Sequence, residues 1–189
     1  TPLHELTSSV GSLLWMVFGP VLDALAARKR GVSPLRVLAE GNRNVALRLS
    51  TSNKIIFWLT NVPYWALATE LWCGPAPHVA GPRFAHAVSA VLVASVSTAF
   101  HGCVLFGPVD SPWPARLLSA DILCANGYGV TLACLCGWLT ALRYFWLPLI
   151  FLAGAARTKR AGRILTYAWM HGLWHVLSAA AMWRCLYYE

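Results

Sequence analysis

The sequence predicts an all-α protein, a polytopic transmembrane bundle of about six apolar helical segments. Of its 189 residues, 58% are hydrophobic and only 12% are charged. Soluble domains carry about 25% charged residues, so this chain cannot solvate an ordinary globular surface. Its ten tryptophans also favour a membrane protein, because their amphipathic rings are favoured at both membrane interfaces. We therefore expect an integral, multi-pass protein of the endomembrane system or the plasma membrane.

The apolar segments follow one another between turn residues and clusters of charge. The first, 10–27, either crosses the membrane or lies at its surface. The others are predicted at 55–73, 83–106, 115–140, 144–156 and 164–188. We treat 1–189 as one membrane domain, in which 1–54 forms an N-terminal segment with a basic cytoplasmic loop and 55–189 forms the core bundle. Because the chain starts with Thr1, we expect a trimmed N-terminus.

The distribution of basic residues predicts the orientation of the bundle. Twelve of the fifteen Lys and Arg residues lie in or beside the loops 28–54, 108–114 and 156–163, which alternation puts on one side. By the positive-inside rule that side is cytoplasmic. Orientation accounts for the net charge of +8, so we expect membrane lipids and no nucleic acid as partners. The sequence favours no particular oligomeric state.

Five polar residues in the apolar segments are predicted to lie at similar depth. His171 and His175 are four residues apart, which puts both imidazoles on one helix face. Ser97 and His101 share the same spacing near the inner end of their segment, and Asp121 lies near the inner start of the next. At a rise of ~1.5 Å per residue, His101 and Asp121 are about 9 Å from the cytoplasmic boundary, His171 about 12 Å and His175 about 18 Å.

Such a set has the chemistry of a catalytic zinc site. Three neutral imidazoles that leave one coordination position open are typical of zinc hydrolases. We assign His101, His171 and His175 as Zn²⁺ ligands, Asp121 as the base or water-orienting group, and Ser97 as a hydroxyl that polarises a carbonyl. A plain alternative is that the histidines bridge helices by hydrogen bonds. Trp174, between two of the ligands in sequence, is predicted to point away from their shared face.

The order of these residues resembles the pattern of the CREST superfamily of membrane hydrolases. That superfamily includes alkaline ceramidases, the adiponectin and progestin receptor family, hemolysin III-like proteins, post-GPI-attachment lipid-remodelling proteins and myomaker-like proteins. The matched positions are Ser97 and His101 on one helix, Asp121 on the next, and His171 and His175 on the last. The resemblance implies a seven-helix bundle with an intramembrane zinc site that opens toward the cytosol. This chain departs from that pattern as a shortened form, because it has fewer predicted helices than the usual seven.

Three functions are compatible with this pattern. The first, implied by the resemblance, is a zinc-dependent hydrolase that cleaves an amide or ester bond in a lipid substrate, ceramidase-like or phospholipase-like. The second is a non-catalytic receptor, lipid-binding or fusion protein of the same fold. The third is a bis-histidine haem protein that uses His101 with His171 or His175.

Overall fold

The structure, a computed structural model, describes residues 31, 33–108 and 111–187. Within these ranges every regular element is an α-helix, which confirms the predicted all-α class. The predicted segment 10–27 and the residues Val109 and Asp110 lie outside the described residues. The helices are α1 (Pro34–Leu47), α2 (Thr51–Leu59), α3 (Val62–Cys73), α4 (Arg83–Phe106), α5 (Trp113–Cys136), α6 (Trp138–Arg160) and α7 (Ile164–Tyr187).

Three of the described helices, α4, α5 and α6, are long and apolar enough to cross a membrane. By length and composition they support a membrane protein, but the described residues do not support six spans. The predicted segment 55–73 is broken at Thr60 and Asn61 into α2, of 9 residues, and α3, of 12. A spanning helix needs about 20 residues, so neither piece is long enough alone. Helix α7 has 24 residues, and its histidines, tyrosines and Arg184 lower its hydropathy.

The boundary between α5 and α6 differs from the prediction. Helix α5 ends at Cys136 and α6 begins at Trp138, so the predicted break at Arg143 is wrong and Arg143 lies inside α6. Gly137 alone separates the two helices, with a φ of +87° that glycine adopts without a steric penalty. As a result α6 is 23 residues long, whereas the predicted segment 144–156 was too short to span.

The predicted basic loop 28–54 contains a helix, α1. Pro34 is at its start, where a missing N–H costs nothing. One face of α1 buries Ala39, Val45 and Ala46 in an apolar cluster with residues of α2, α4, α5, α6 and α7. From the same helix, Arg43 donates hydrogen bonds to the last carbonyls around the end of α4. Burial of this apolar face explains why a charge-rich stretch is helical.

Two apolar clusters fill the bundle, and the polar site lies between them along the chain. The first includes Leu71, Leu132 and Leu186, and the second includes Phe57 and Phe100. On α4, buried Ser97 lies between Ala94 of the first cluster and Phe100 of the second, and buried His101 directly follows Phe100. On α7, buried His175 and Ser178 lie between Ala168 of the second cluster and Ala179 of the first.

Gly172 allows α7 to approach the junction of α2 and α3. A Cβ atom at this position would lie 2.8 Å from Cγ2 of Thr60. Overpacking costs about 1–3 kcal/mol, and the gain in helix propensity on replacing glycine offsets about 1 kcal/mol of that cost. We therefore expect Gly172→Ala to lower the free energy of unfolding by up to about 2 kcal/mol. Thermal unfolding of the purified protein in detergent measures the difference.

Two further variants act as controls for this prediction. Gly127→Ala in α5 should keep or raise the stability, because a Cβ there meets no atom within 4 Å. Thr60→Ser removes Cγ2 and keeps the hydroxyl that donates to the Phe57 carbonyl at 2.6 Å, so it should rescue most of the loss in the double variant. Equal losses in both glycine variants, or the lack of a rescue, would contradict a close contact between α7 and Thr60.

Candidate metal centre

Three histidines from two helices converge in the interior of the bundle. His101 comes from α4, and His171 and His175 come from α7; one ring nitrogen of each lies within 4.8 Å of the others. The Nε2 atoms of His101 and His175 are 3.1 Å apart. His101 is 4% exposed and His175 is 1% exposed. The three imidazoles that the sequence singles out can therefore reach a single ion.

The nitrogen geometry fits a small metal ion. Two nitrogens bound tetrahedrally to zinc, each at ~2.0–2.1 Å, are separated by about 3.4 Å. The 3.1 Å between His101 and His175 is close to that separation. In a neutral imidazole each ring nitrogen either donates one hydrogen bond or accepts one. Three ring nitrogens that face one another therefore cannot all be paired by hydrogen bonds among themselves. A shared cation would satisfy all three.

One nitrogen of His175 has no partner in the part of the chain that the structure describes. Its Nδ1 is buried and makes no hydrogen bond there, whereas its Nε2 faces Nε2 of His101. A metal-bound histidine directs one nitrogen at the ion and gives the other to a neighbouring acceptor or water. A buried histidine that bridges helices also needs both nitrogens paired, so Nδ1 does not separate the two interpretations. The crowding of three ring nitrogens is the observation that favours an ion.

The haem alternative does not fit the same geometry. A bis-histidine haem needs the porphyrin plane between two imidazoles. Here the ring centroid of His101 lies 4.8 Å from that of His175 and 5.5 Å from that of His171. Because His101 and His175 are also within hydrogen-bonding distance, no space for a porphyrin remains between them.

Aromatic rings surround the histidines. The ring of Phe57 on α2 lies 5.0 Å from His101 and 5.4 Å from His171, measured between centroids. The indole of Trp174 lies 5.0 Å from His171 and 4.7 Å from His175. The prediction that Trp174 points away is therefore wrong, because residues three apart on a helix are surface neighbours. These rings shield the centre and lower the local polarity.

Ser97 and Asp121 lie next to each other, beside the three histidines. Ser97 is one helical turn before His101 on α4 and is 2% exposed. Its side chain lies near the carboxyl group of Asp121 on α5. The group of side chains within 4.8 Å of one another contains the histidines and does not include Asp121. The two residues assigned to proton transfer and polarisation thus form a pair that adjoins the metal centre through α4.

A second hydroxyl pair borders the centre, and the sequence reasoning missed it. Tyr64 on α3 is buried, its ring lies 5.7 Å from that of His175, and its hydroxyl lies near the side chain of Ser178. A signal was available, because a tyrosine in an apolar segment needs a partner for its hydroxyl when it is buried. Ser178 follows His175 by three residues, which puts both on nearly the same face of α7.

An apolar cavity of about 230 Å³ adjoins this end of the site. It lies between α5, α6 and α7, and Tyr64, Trp174 and Ser178 are part of its wall. The rest of the wall is mainly apolar and includes Leu149 and Leu152. Because Tyr64 and Trp174 also contact the histidines, an apolar ligand in this cavity would adjoin the candidate metal centre.

The chain matches no family model, no curated protein and no solved structure. The likeness to the CREST superfamily consequently rests on the residue pattern, Ser97 and His101, Asp121, and His171 with His175.

The metal content of purified variants tests the centre. We expect His101→Ala and His171→Ala to lose most of the zinc that the wild-type protein holds, because each removes one of three ligands. Inductively coupled plasma mass spectrometry gives the zinc-to-protein ratio.

His86→Ala is the matched control for the zinc measurement. His86 is also buried on α4, at 4% exposure, but its Nε2 pairs with the Ala80 carbonyl at 3.1 Å, away from the three histidines. This variant should retain its zinc. Full zinc in both His101→Ala and His171→Ala, or a haem Soret band in the wild-type protein, would rule out the proposed ligands.

Proposed function

We propose that the protein is a zinc-dependent intramembrane hydrolase that cleaves an amide or ester bond in a lipid. The observation that carries this proposal is the convergence of three imidazoles, two of them buried and that of His171 partly buried, next to the neighbouring side chains of Ser97 and Asp121. The adjoining apolar cavity and the three candidate spans support a lipid as the substrate. The bias of basic residues supports a site nearer the cytoplasmic face, with membrane lipids as partners.

Each residue near the centre has a distinct role in this proposal. His101, His171 and His175 would hold the ion. When bound, zinc supplies Lewis acidity and makes water a competent nucleophile near neutral pH. Asp121 accepts a proton as the oxygen of water adds to the substrate carbonyl carbon, and it returns the proton to the leaving amine or alcohol.

The contacts of Ser97 change the role that the sequence assigned to it. A serine hydroxyl has one proton, and a hydrogen bond to the neighbouring Asp121 carboxylate would use it. In this proposal Ser97 is therefore a positioning residue for Asp121. Tyr64 and Ser178 together have two hydroxyl protons, and a hydrogen bond between them would use one, so one remains to polarise a substrate carbonyl.

The shape and lining of the cavity favour a hydrocarbon chain. Its wall combines aliphatic and aromatic side chains of α5, α6 and α7, with hydroxyls only at the end nearest the histidines. Apolar sites with a few polar groups at one point orient a ligand by that point. A lipid whose acyl chain fills the cavity would present its amide or ester group to Tyr64 and the metal centre.

A non-catalytic lipid-binding or receptor protein with a structural metal is the second candidate. The observation that favours it is the position of Asp121, which lies near Ser97 and outside the group of three histidines. Zinc binding and lipid binding are common to both candidates. Turnover by the wild-type protein, and its dependence on Asp121, separates them.

Replacing Asp121 by Asn tests the hydrolase directly. This change keeps the size of the side chain and removes its ability to accept a proton, so kcat should fall by ~10²–10⁴. The zinc content should stay near that of the wild type, because Asp121 is not a ligand in the proposed centre. Release of fatty acid from a panel of ceramides and phospholipids, by mass spectrometry, gives the rate.

Glu70→Gln in α3 is the control for this rate, since it removes a carboxylate outside the centre and should leave kcat unchanged. Wild-type turnover in the Asp121→Asn variant would defeat the role of Asp121. If the wild-type protein binds zinc and lipid but hydrolyses none of the panel, the non-catalytic candidate is favoured.

A glycine in the cavity wall tests where the lipid chain binds. Gly129 lines the cavity, and a Cβ at this position would meet no atom within 4 Å. We expect Gly129→Phe to fill the cavity and to raise KM for long-chain substrates more than for short-chain ones. Turnover with a series of acyl-chain lengths measures this selectivity.

Gly127→Phe is the matched control in the same helix. A Cβ at Gly127 also meets no atom within 4 Å, and Gly127 is not part of the cavity wall. This variant should keep the chain-length preference of the wild type. The same shift in both variants, or in neither, would be incompatible with a lipid chain in this cavity.

A further inference from the structure

A second cavity, of about 770 Å³, lies between α1 and the start of α5. Its ionisable lining consists of Arg36, Glu40 and Arg43 from α1 and Arg116 from α5. None of its lining residues belongs to the metal centre or to the apolar cavity. The proposed hydrolase does not use this second cavity, so its chemistry needs its own explanation.

The described lining of this cavity is positively charged. Glu40 pairs with Arg36 at 2.9 Å, so these two charges offset each other. Arg43 is 9% exposed, and its described hydrogen-bond acceptors are the neutral carbonyls of Gly107 and Pro108. Arg116 lies over the ring of Trp113, 5.5 Å from the centroid. In the part of the chain that the structure describes, two guanidinium groups of the lining therefore lack a carboxylate partner.

Burial makes the charge on Arg43 informative. Arginine is almost never fully buried unless it is paired, because removing a charge from water is costly. Carbonyl oxygens satisfy some of its five N–H groups but do not neutralise the cation. A bound anion would neutralise it, and phosphate matches the planar donor fork of a guanidinium in geometry.

The position of the cavity agrees with an anionic ligand at the membrane surface. The bias of basic residues places α1 and the start of α5 at the cytoplasmic side. Trp113, beside Arg116, is 55% exposed, as expected for an aromatic ring at the level of the headgroups. Anionic lipids are concentrated in the cytoplasmic leaflet, and basic residues near the surface attract them.

We propose that Arg36, Arg43 and Arg116 form a binding site for a phosphate ester. A volume of about 770 Å³ falls in the usual range for small-molecule sites, ~300–1,000 Å³, and exceeds the need of a bare phosphate ion. The site therefore suits a phosphorylated polyol, supplied either by a lipid headgroup or by a soluble phosphate ester. This site is independent of the proposed hydrolase activity.

Binding by the full chain in neutral phosphatidylcholine nanodiscs tests the site. Three probes are titrated: a short-chain phosphatidylinositol bisphosphate, the free inositol trisphosphate, and inorganic phosphate. We expect Arg36→Gln and Arg116→Gln each to weaken binding of the phosphoinositide about fivefold, the equivalent of about 1 kcal/mol per basic residue near a membrane surface. Glu40→Gln should strengthen binding, because it releases Arg36. These three variants spare Arg43, whose hydrogen bonds hold α1 against the end of α4.

Arg48→Gln is the matched control, since Arg48 directly follows α1, is exposed and does not line the cavity. It should bind as the wild type does. Tighter binding by the lipid than by the free headgroup supports a membrane source, and equal binding by both supports a soluble ligand; either result supports the site. The proposal is overturned if none of the probes binds, or if Arg48→Gln weakens binding as much as Arg116→Gln.

Discussion

The convergence of three imidazoles, those of His101 and His175 buried and that of His171 partly buried, is the constraint on which the other features depend. Polar rings in an apolar interior require partners, and nitrogens within 4.8 Å of each other cannot all be partnered by one another. The break between α2 and α3 lets Phe57 contact His101 from one side of the junction and Tyr64 contact His175 from the other. Gly172 allows α7 to pack closely against Thr60 at the junction of α2 and α3.

The apolar cavity and the polar centre work as one arrangement in the proposed reaction. A hydrolase of lipids must hold a hydrocarbon chain and deliver water to a carbonyl at its end. Here α5, α6 and α7 line the apolar part, and Tyr64, Trp174 and Ser178 join it to the histidines. The arginine-lined cavity beside α1 has the opposite character and shares no lining residue with the apolar one. The two cavities therefore suit the two chemical parts of membrane lipids.

Spacing and depth in the sequence were enough to predict the all-α class and the convergence of His101, His171 and His175, because helical periodicity is regular. Chain breaks were harder to predict. Apolar composition does not reveal that Thr60 and Asn61 divide one segment, or that Gly137 alone separates two helices. The proximity of Ser97 to Asp121 and of Tyr64 to Ser178 depends on how each helix is rotated about its axis, which a single sequence does not determine. The amphipathic pattern of α1 was present, but its charges were interpreted only as a loop.

X-ray absorption at the zinc edge of the purified, zinc-loaded protein tests the central claim most directly. The account predicts a four-coordinate zinc ion with imidazole scattering from three histidines and one oxygen ligand, at distances of ~2.0–2.1 Å from zinc to its ligand atoms. Sulfur at ~2.3 Å would instead assign the metal to cysteines. That result, or a spectrum without imidazole scattering, would contradict a centre formed by His101, His171 and His175.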